Sequence, residues 1–348
     1  MDKRIKSVNY ANVGNTKADE TYMHYLVTGG AGFIGSHLSE YLITKDHHVT
    51  VIDDLSTGRF NNLARVHDHP GFRMIVGSIR DEALIEPLIR ESDGIFHLAS
   101  AVGVRLIMEQ PVQTIETIFH GTDVVLRFAS RYRRKILLTS TSEVYGKSND
   151  VPFHEDGDRL EGPTTLHRWA YACAKALDEF LALAHHKTTG LPVVVVRLFN
   201  TVGPRQSAQY GMVIPRFVEA ALQGRNLTVY GDGLQTRCFC HVHDVVEGLY
   251  AAINTPACEG QVINIGNDEE VSIVDLAQRI ISTAASNSTI LHIPYEQAFP
   301  DGGYEDMRRR VPSLEKARRL IGWAPRYRLT DIIRDTIDER REYLRISA

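Results

Sequence analysis

Residues 26–38 read "LVTGGAGFIGSHL", an apolar run followed by clustered glycines and the start of a helical pattern. Gly30, Gly32 and Gly35 fit the spacing G-x-G-x-x-G. With Gly29 as its first member, the stretch also fits the looser G-x-x-G-x-x-G. Side chains at these positions would block the tight turn, the approach of the backbone to a pyrophosphate and the packing of the helix on the strand. The stretch therefore predicts a strand, a turn and a helix whose N-terminus faces phosphate groups.

The next apolar run indicates which dinucleotide fits this turn. The segment "HHVTVIDD" contains Asp53 at the end of its apolar part, about twenty residues beyond the glycines, as such sites require. A carboxylate there can accept hydrogen bonds from both hydroxyls of a ribose, and its charge repels a 2′-phosphate. We therefore predict that the chain binds NAD rather than NADP. A glycine turn with a purely structural role is the alternative.

The order of the elements predicts the fold class. Apolar runs alternate with helical patterns through the first 200 residues, which is typical of a parallel sheet covered on both faces. We predict an α/β fold, a Rossmann-like doubly wound parallel sheet with a smaller C-terminal substrate-binding lobe. The predicted division is a leader at residues 1–21, an NAD-binding domain at 22–200 and mainly the lobe at 201–348. Residues from about 236 to 265 are expected to return to the sheet domain.

Composition argues against several classes of protein. The chain has 348 residues and a formal net charge of -4, so it lacks the basic surface typical of proteins that bind nucleic acid or anionic membranes. Its leader has no apolar core of the kind that a secretory signal needs. Four cysteines are too few for a disulfide scaffold in a chain this long. We expect a cytoplasmic protein with neither nucleic acid nor membrane as a partner.

A tyrosine and a lysine four residues apart form the candidate catalytic pair. In "LHRWAYACAKALDEF", which begins at residue 166, Tyr171 and Lys175 fall on one face of a predicted helix. A phenol has a pKa of about 10 and needs help to act as a base at neutral pH. A nearby ammonium and a positively charged nicotinamide ring would favour the phenolate. The alternative is a surface tyrosine beside a solvated lysine, and the predicted dinucleotide site favours the chemical role.

With these motifs the chain resembles the extended, nucleotide-sugar-modifying branch of the short-chain dehydrogenase/reductase superfamily. The resemblance runs from Tyr25 to about Leu344 and rests on "TGGAGFIGS", "HLAS", "STSEVYG", "YACAK", "RLFNTVGPR", "LTVYGDGLQTRCF" and "RRRVPS" in the expected order. It implies an NAD-dependent enzyme that oxidises a sugar hydroxyl, with Tyr171 as base, Lys175 as its partner and Thr141 orienting the hydroxyl. It also implies a homodimer formed through two paired helices.

The resemblance further implies which positions contact the two ligands. Those expected at the cofactor are Gly29, Gly32, Phe33, Ile34, Gly35, Asp53, Ser56, Gly58, Ser78, Ile79, Leu98, Tyr171 and Lys175. Those expected at a UDP-sugar substrate are Asn200, Arg216, Tyr230, Gln235, Arg237 and Arg310. Among these, Arg237 is the best candidate for the diphosphate, because a fixed cation suits two phosphates. Arg105, in the sugar-facing loop where relatives differ, is a further candidate because its charge could help to hold a carboxylate.

Within this branch the chain is most similar to the UDP-glucuronate decarboxylases. Arg310, two residues before Pro312, matches the arginine with which that family binds a carboxylate, and a guanidinium can hold such a planar anion through two hydrogen bonds. Thr141, Ser142 and Glu143 complete the implied catalytic set. A 4-keto sugar with a carboxylate at C5″ is a β-keto acid, which loses carbon dioxide. The resemblance thus implies conversion of UDP-glucuronate through UDP-4-keto-glucuronate to UDP-xylose, UDP-4-keto-pentose or both.

Three other functions compete with this interpretation. A 4-epimerase usually has small residues in place of Ser142 and Glu143, so Glu143 argues against it. A 4,6-dehydratase typically has Asp–Glu before "VYG", whereas this chain has Ser142 in place of the Asp. A non-enzymatic NAD-sensing module would be expected to have lost the Tyr–Lys pair.

The segment "RCFCHVHD" resembles a zinc-binding sequence. On a single strand, however, Cys238 and Cys240 would point to one face, and His241 and His243 to the other. Four such side chains cannot converge on one tetrahedral ion. We therefore predict no metal site.

Overall fold

The computed structural model describes residues 22–100, 111–208, 212–298 and 307–347. Two sequence predictions, the leader at residues 1–21 and the substrate contact at Arg105, lie outside these ranges. The strands in chain order are β1 (His24–Thr28), β2 (His48–Asp53), β3 (Phe72–Val76), β4 (Gly94–His97), β5 (Lys135–Thr141), β6 (Val193–Leu198), β7 (Thr201–Val202), β8 (Leu227–Tyr230), β9 (Thr236–Cys238), β10 (Cys240–His241), β11 (Gln261–Ile265), β12 (Glu270–Ser272) and β13 (Ile290–Ile293).

Seven of these strands form one parallel sheet at the centre of the molecule. Their order is β11-β6-β5-β4-β1-β2-β3, and every neighbouring pair is parallel. Six of the strands follow the 3-2-1-4-5-6 order of a doubly wound dinucleotide-binding sheet. The predicted α/β class and Rossmann-like sheet are therefore confirmed.

Helices cover both faces of this sheet. The α-helices of the described residues, in the sheet and the lobe together, are in chain order α1 (Phe33–Thr44), α2 (Glu82–Glu91), α3 (Pro111–Tyr132), α4 (Arg168–Thr189), α5 (Val213–Leu222), α6 (Val242–Ile253), α7 (Ile273–Ala284), α8 (Tyr295–Ala298), α9 (Glu315–Ile321) and α10 (Leu329–Ser347). Helices α1 and α6 pack on one face, and α2, α3 and α4 pack on the other. In the described ranges, no helix has the length and apolar character needed to cross a bilayer.

Burial on both faces explains the composition of the central strands. Strand β6 carries four consecutive valines, all fully buried. Val194 and Val196 pack with α1 and α6, whereas Val193 and Val195 pack with the helices of the opposite face. Since each face meets helices, the strand begins with four apolar residues in succession instead of alternating with polar ones, and its one charged residue, Arg197, is paired with Glu179.

The glycine turn fixes helix α1 against strand β1. Gly29 has a φ of +70°, and a Cβ on it would lie 2.8 Å from the amide nitrogen of Ala99. A Cβ on Gly35 would lie 2.3 Å from the carbonyl oxygen of Gly29. Only glycine permits this contact, which places the N-terminus of α1 at the carboxyl ends of β1 and β4.

The C-terminal lobe has a core of its own. Helices α5, α7 and α10 pack together with β8 into a separate apolar cluster. Helix α6 and strand β11, although late in the chain, belong to the sheet, where β11 pairs with β6. The proposed domain boundaries remain a prediction, but this topology explains why the two parts are interleaved.

A series of contacts between aromatic rings joins α1 to the later part of the chain. The His37 and His243 ring centroids are 5.3 Å apart, those of His243 and His241 are 4.6 Å apart, and His241 stacks on Tyr327 at 4.2 Å. Burial, aided by the neighbouring His241, lowers the pKa of His243 to about 3, and burial also lowers the pKa of His37. Helix α6 begins at Val242, so the prediction that His243 shares one strand with Cys238 is wrong.

We expect His243 to make the free energy of unfolding depend on pH. Unfolded histidine has a pKa of about 6.5, so the unfolded state gains the proton first as the pH falls below that value. His243 alone should then lower the free energy of unfolding by about 2 kcal/mol between roughly pH 6.5 and 5. The His243→Phe variant should show a correspondingly flatter slope in urea unfolding across this range. His292→Phe, at an exposed position on β13, is the control and should keep the original slope.

Candidate functional site

A cleft of about 1780 Å³ opens at the carboxyl ends of the sheet strands and reaches the C-terminal lobe. Pockets for one drug-sized ligand are about 300–1,000 Å³, so this cleft can hold a dinucleotide and a second nucleotide together. The predicted site residues that line it are Gly29, Gly32, Phe33, Ile34, Gly35, Asp53, Ser56, Ser78, Ile79, Leu98, Thr141, Ser142, Glu143, Tyr171, Lys175, Asn200, Arg216, Tyr230, Gln235, Arg237 and Arg310.

Two of the predicted site residues, Gly58 and Arg105, are not in this set. A Cβ on Gly58 would lie 2.7 Å from a carboxylate oxygen of Asp53, so Gly58 packs behind Asp53 and supports it. Arg105 lies outside the described residues. The structure thus brings the other predicted residues into one cleft, while the ligand that each of them contacts remains a prediction.

The glycine turn and Asp53 form the cofactor half of the cleft. Asp53 accepts hydrogen bonds from the backbone N–H groups of Ala31 at 2.9 Å and Leu55 at 2.8 Å. Burial raises the pKa of this carboxyl, and the same N–H groups oppose the rise. In the described residues around α1, no side chain caps the N-terminus and the first turn has no acidic residue. These groups fit a dinucleotide, with phosphates at the helix N-terminus and a ribose at Asp53.

Thr141, Tyr171 and Lys175 meet in the middle of the cleft. Thr141 ends strand β5, where its hydroxyl accepts from the N–H of Glu143 at 3.2 Å and hydrogen bonds to Tyr171. Burial raises the pKa of Tyr171, the charge of Glu143 raises it further and the bond to Thr141 opposes both. The sequence predicts that Lys175 and a positively charged nicotinamide together favour the phenolate, and this stays a prediction. In the structure the phenol is less acidic than usual, and the Lys175 ammonium lies 3.0 Å from Asp178 Oδ2.

Arg310 lies against Glu143 on the substrate side of Tyr171. Arg310 Nη1 is 2.8 Å from Glu143 Oε1, and their side chains are 7% and 20% exposed. Among the described residues, Arg310 Nε is buried without a hydrogen-bond partner. This guanidinium can therefore bind one carboxylate of the protein and still offer a donor to a second anion.

Backbone hydrogen bonds hold Arg310 in this position. The N–H of Phe153 donates to the carbonyl of Val311 at 2.8 Å, and the N–H of Ser313 donates to the carbonyl of Phe153 at 2.9 Å. Phe153 follows the short turn Ser142–Tyr145, which contains Glu143. The late segment that carries Arg310 is thus attached to the loop that follows β5.

Arginines and polar side chains line the far end of the cleft. Arg216 donates to the Tyr230 hydroxyl at 2.8 Å and lies over its ring, and its Nε is buried without a partner among the described residues. Gln235 donates to the Tyr295 hydroxyl at 3.1 Å. Arg237 donates to the carbonyl of Met307 at 2.8 Å. This end therefore combines aromatic rings with fixed cations, a set that suits a base and a diphosphate.

The sequence analysis missed two residues of the site. Tyr295, which lines the cleft beside Gln235, had no motif around it. Asp178, the partner of Lys175, had a detectable signal, because an acid three residues after a lysine faces it on a helix.

The sheet order, the glycine turn and the Tyr–Lys pair define a short-chain dehydrogenase/reductase. The chain belongs to the NAD-dependent epimerase/dehydratase family of that superfamily, since the family model described as GDP-mannose 4,6 dehydratase matches residues 26–336. The family predicted from the sequence is therefore confirmed.

Two similar relatives are decarboxylases by name. The UDP-N-acetyl-alpha-D-glucosaminuronate decarboxylase of Bacillus cytotoxicus is 42% identical over 320 residues, covering 91% of this chain and 97% of that protein. The UDP-glucuronic acid decarboxylase 1 of Danio rerio is 39% identical over 312 residues, covering 90% of this chain and 71% of that protein. The likeness thus includes both the sheet and the C-terminal lobe.

Solved structures of other enzymes share the fold. A UDP-glucuronic acid 4-epimerase mutant from Bacillus cereus, in complex with UDP-4-deoxy-4-fluoro-glucuronic acid and NAD, has a TM-score of 0.83 at 28% identity, covering 92% of this chain and 100% of that chain. A dTDP-glucose 4,6-dehydratase from Bacillus anthracis, in complex with NAD, has a TM-score of 0.80 at 29% identity, covering 92% and 97%. Because enzymes named for different reactions share this fold, the residues of the site must identify the reaction.

We expect Asp53→Asn to weaken NAD binding about tenfold, because hydrogen bonds from ribose hydroxyls to a charged acceptor are replaced by bonds to a neutral one. The same change should raise the affinity for NADP relative to NAD, since the negative charge at Asp53 is removed. Calorimetric titration with each dinucleotide measures both effects. Asp68→Asn is the control, because Asp68 is exposed and pairs with His67 away from the cleft-lining residues. Equal NAD affinity in the two variants would contradict the role of Asp53.

Proposed function

We propose that this chain catalyses the NAD-dependent decarboxylation of UDP-glucuronate through UDP-4-keto-glucuronate. The product would be UDP-xylose, UDP-4-keto-pentose or both. The relatives at 42% and 39% identity, both named as decarboxylases of UDP-linked uronates, support this reaction. The observation that carries the proposal is the pairing of Arg310 with Glu143 beside the Tyr171 phenol.

In the first step Tyr171, as the phenolate that the positive charge of a bound cofactor would favour, removes the proton of the 4″-hydroxyl. A bound NAD would supply the acceptor for the hydride on C4″ and the donor that could return it to the ketone. The turn from Gly29 to Gly35 and the Asp53 carboxylate would hold this cofactor. The Thr141 hydroxyl, already bonded to Tyr171, can also meet the sugar hydroxyl and align it with the base.

In the second step Arg310 orients the sugar carboxylate. Carbon dioxide leaves, the electron pair of the broken C5″–carboxyl bond passes to the C4″ ketone as an enolate, and C5″ is then protonated. A fully neutralised carboxylate would be stabilised in the ground state, which would oppose loss of carbon dioxide. Because Arg310 is already paired with Glu143, its guanidinium would orient the substrate carboxylate but neutralise its charge only in part. The low exposure of Arg310 keeps this interaction directional and only weakly screened by water.

A second candidate substrate is UDP-N-acetylglucosaminuronate. The relative from Bacillus cytotoxicus, at 42% identity, is named for that sugar. The two substrates differ at C2″, which takes no part in the oxidation at C4″ or the loss of the C5″ carboxylate. The same residues could therefore act on either sugar, and the ratio of kcat/KM for the two identifies the preferred one.

The central experiment incubates the protein with NAD and UDP-glucuronate and follows carbon dioxide, NADH and sugar products together. Arg310→Ala should lower carbon dioxide release by about 10²–10³-fold while NAD affinity stays unchanged, since the change removes one positioned charge. Arg309→Ala is the matched control, because Arg309 is exposed and pairs with Glu270 on the surface.

Two outcomes would contradict the proposal. A product of unchanged mass and inverted configuration would identify a 4-epimerase. Rapid dehydration of a neutral UDP- or dTDP-hexose, without carbon dioxide release from the uronate, would identify a 4,6-dehydratase.

We also propose that the protein forms a homodimer through helices α3 and α4. Four apolar side chains are exposed on these two helices, namely Val112, Ile115, Leu177 and Phe180. On each helix the two exposed residues are three positions apart and therefore lie on one face as an apolar stripe. In a dimer formed through paired helices, the partner subunit would cover these stripes. The cytoplasmic location expected from the composition remains a prediction.

Phe180→Glu should convert the dimer to a monomer, because it places a charge in the apolar stripe. Light scattering after gel filtration should then give 39.1 kDa, the mass of one chain, in place of twice that mass. Leu291→Glu, at an exposed apolar position on β13, should leave the dimer intact. A monomeric wild-type protein would contradict the proposal.

A further inference from the structure

Asp178 makes the closest ionic contact of the catalytic lysine. Lys175 Nζ lies 3.0 Å from Asp178 Oδ2, and the two side chains are 3% and 0% exposed. A buried ion pair costs desolvation and is a weak source of stability, so its presence calls for another explanation. Lys175 lies one helical turn beyond Tyr171 and lines the cleft, whereas Asp178, a further turn along α4, is fully buried.

A chain of hydrogen bonds continues from Asp178 into the sheet. The Thr122 hydroxyl donates to Asp178 Oδ2 at 2.9 Å. His97 Nε2 lies 3.2 Å from the Thr122 oxygen, and His97 Nδ1 lies 2.8 Å from the hydroxyl of Thr28. Thr28 ends strand β1 immediately before the glycine turn. The chain thus connects the lysine to the start of the predicted phosphate site.

The hydrogen positions along this chain have one consistent arrangement. Since the Thr122 hydroxyl gives its proton to Asp178, it must accept one from His97 Nε2. His97 Nδ1 then accepts the proton of the Thr28 hydroxyl. Burial lowers the pKa of His97 to about 3, so its ring is neutral, as this arrangement requires. Every donor points toward Asp178 Oδ2, the acceptor at the end of this series of hydrogen bonds. Burial raises the pKa of the Asp178 carboxyl, and the Lys175 ammonium and the Thr122 hydroxyl oppose the rise.

We propose that Asp178 is a positioning residue for catalysis: it holds the Lys175 ammonium and sets how readily Tyr171 releases its proton. The inference rests on the proposed function, because it concerns the same base. The Asp178 charge opposes formation of the phenolate, as does that of Glu143. Proton removal is therefore coupled to the arrival of positive charge from the cofactor. Among the described residues, the other titratable groups that face Tyr171 or Asp178 are Glu143, Lys175 and Glu179, with Arg310 against Glu143 and His97 near Lys175.

The Asp178→Asn variant tests this inference. The amide oxygen can still accept from Lys175 and Thr122, so the change removes mainly the charge. In the NAD complex, tyrosinate absorbance measured against Tyr171→Phe should titrate at a pH lower by roughly half a unit to one unit. Turnover should fall by about tenfold, because a neutral amide holds the ammonium less firmly.

Asp123→Asn is the matched control, since Asp123 lies next to Thr122 but faces solvent and pairs with Arg127. It should change neither the tyrosinate titration nor turnover. A loss of turnover in Asp178→Asn with an unchanged titration would mean that Asp178 only stabilises α4, and would overturn the inference. An Asp178→Asn protein that matches the wild type in both measurements would also overturn it.

The Thr122→Val variant tests the series of hydrogen bonds even if Asp178→Asn fails to fold, because it keeps every charge and removes only one hydroxyl. Turnover should fall by about threefold, as expected for loss of one hydrogen bond. In the double variant the two effects should not multiply, because both act through the same carboxylate. Unchanged turnover in Thr122→Val, or multiplying effects, would overturn the inference. Wild-type protein that releases no carbon dioxide would instead refute the proposed function.

Discussion

The site depends on the attachment of a late segment of the chain to the loop that follows β5. The backbone of Phe153 bonds to Val311 and Ser313, so residues separated by more than 150 positions form one structural unit. Because this contact uses backbone groups, it fixes the path of the segment whatever its side chains are. Arg310, the residue before this contact, is thereby held against Glu143. The attachment therefore places the Arg310 guanidinium in the cleft that also contains Tyr171.

Charges under and around the cleft are arranged in compensated pairs. Lys175 pairs with Asp178, Arg310 with Glu143 and, deeper in the protein, Arg197 with Glu179 at 2.8 Å. An isolated buried charge would be prohibitive, whereas a paired one can be retained where a function needs it. The compensation is incomplete at Tyr171, because burial and the charges of Glu143 and Asp178 all raise its pKa.

Much of the fold could be predicted from the sequence because its determinants are local. The glycine spacing, the β-branched runs and the distance to Asp53 are all contained in short segments, and each corresponds to the element found. The raised pKa of Tyr171 could not be predicted, since it comes from burial and from the charge of Glu143, which lies elsewhere in the chain. The contact between Thr122 and Asp178 depends on how two helices pack. His243 was misplaced because the change from strand to helix at Val242 leaves little trace in the alternating pattern.

Strand β11 is synthesised well after β6, the strand with which it pairs in the sheet. Strand β6, which begins with four valines, is complete at Leu198, but β11, which pairs with it, begins only at Gln261. At about 5–20 residues per second, the ribosome needs several seconds to supply the missing segment. During that time an apolar strand edge has no neighbour, and such edges pair readily with other chains. Transient protection by a chaperone at this stage would therefore increase the yield of native protein more than further stabilisation of the finished sheet.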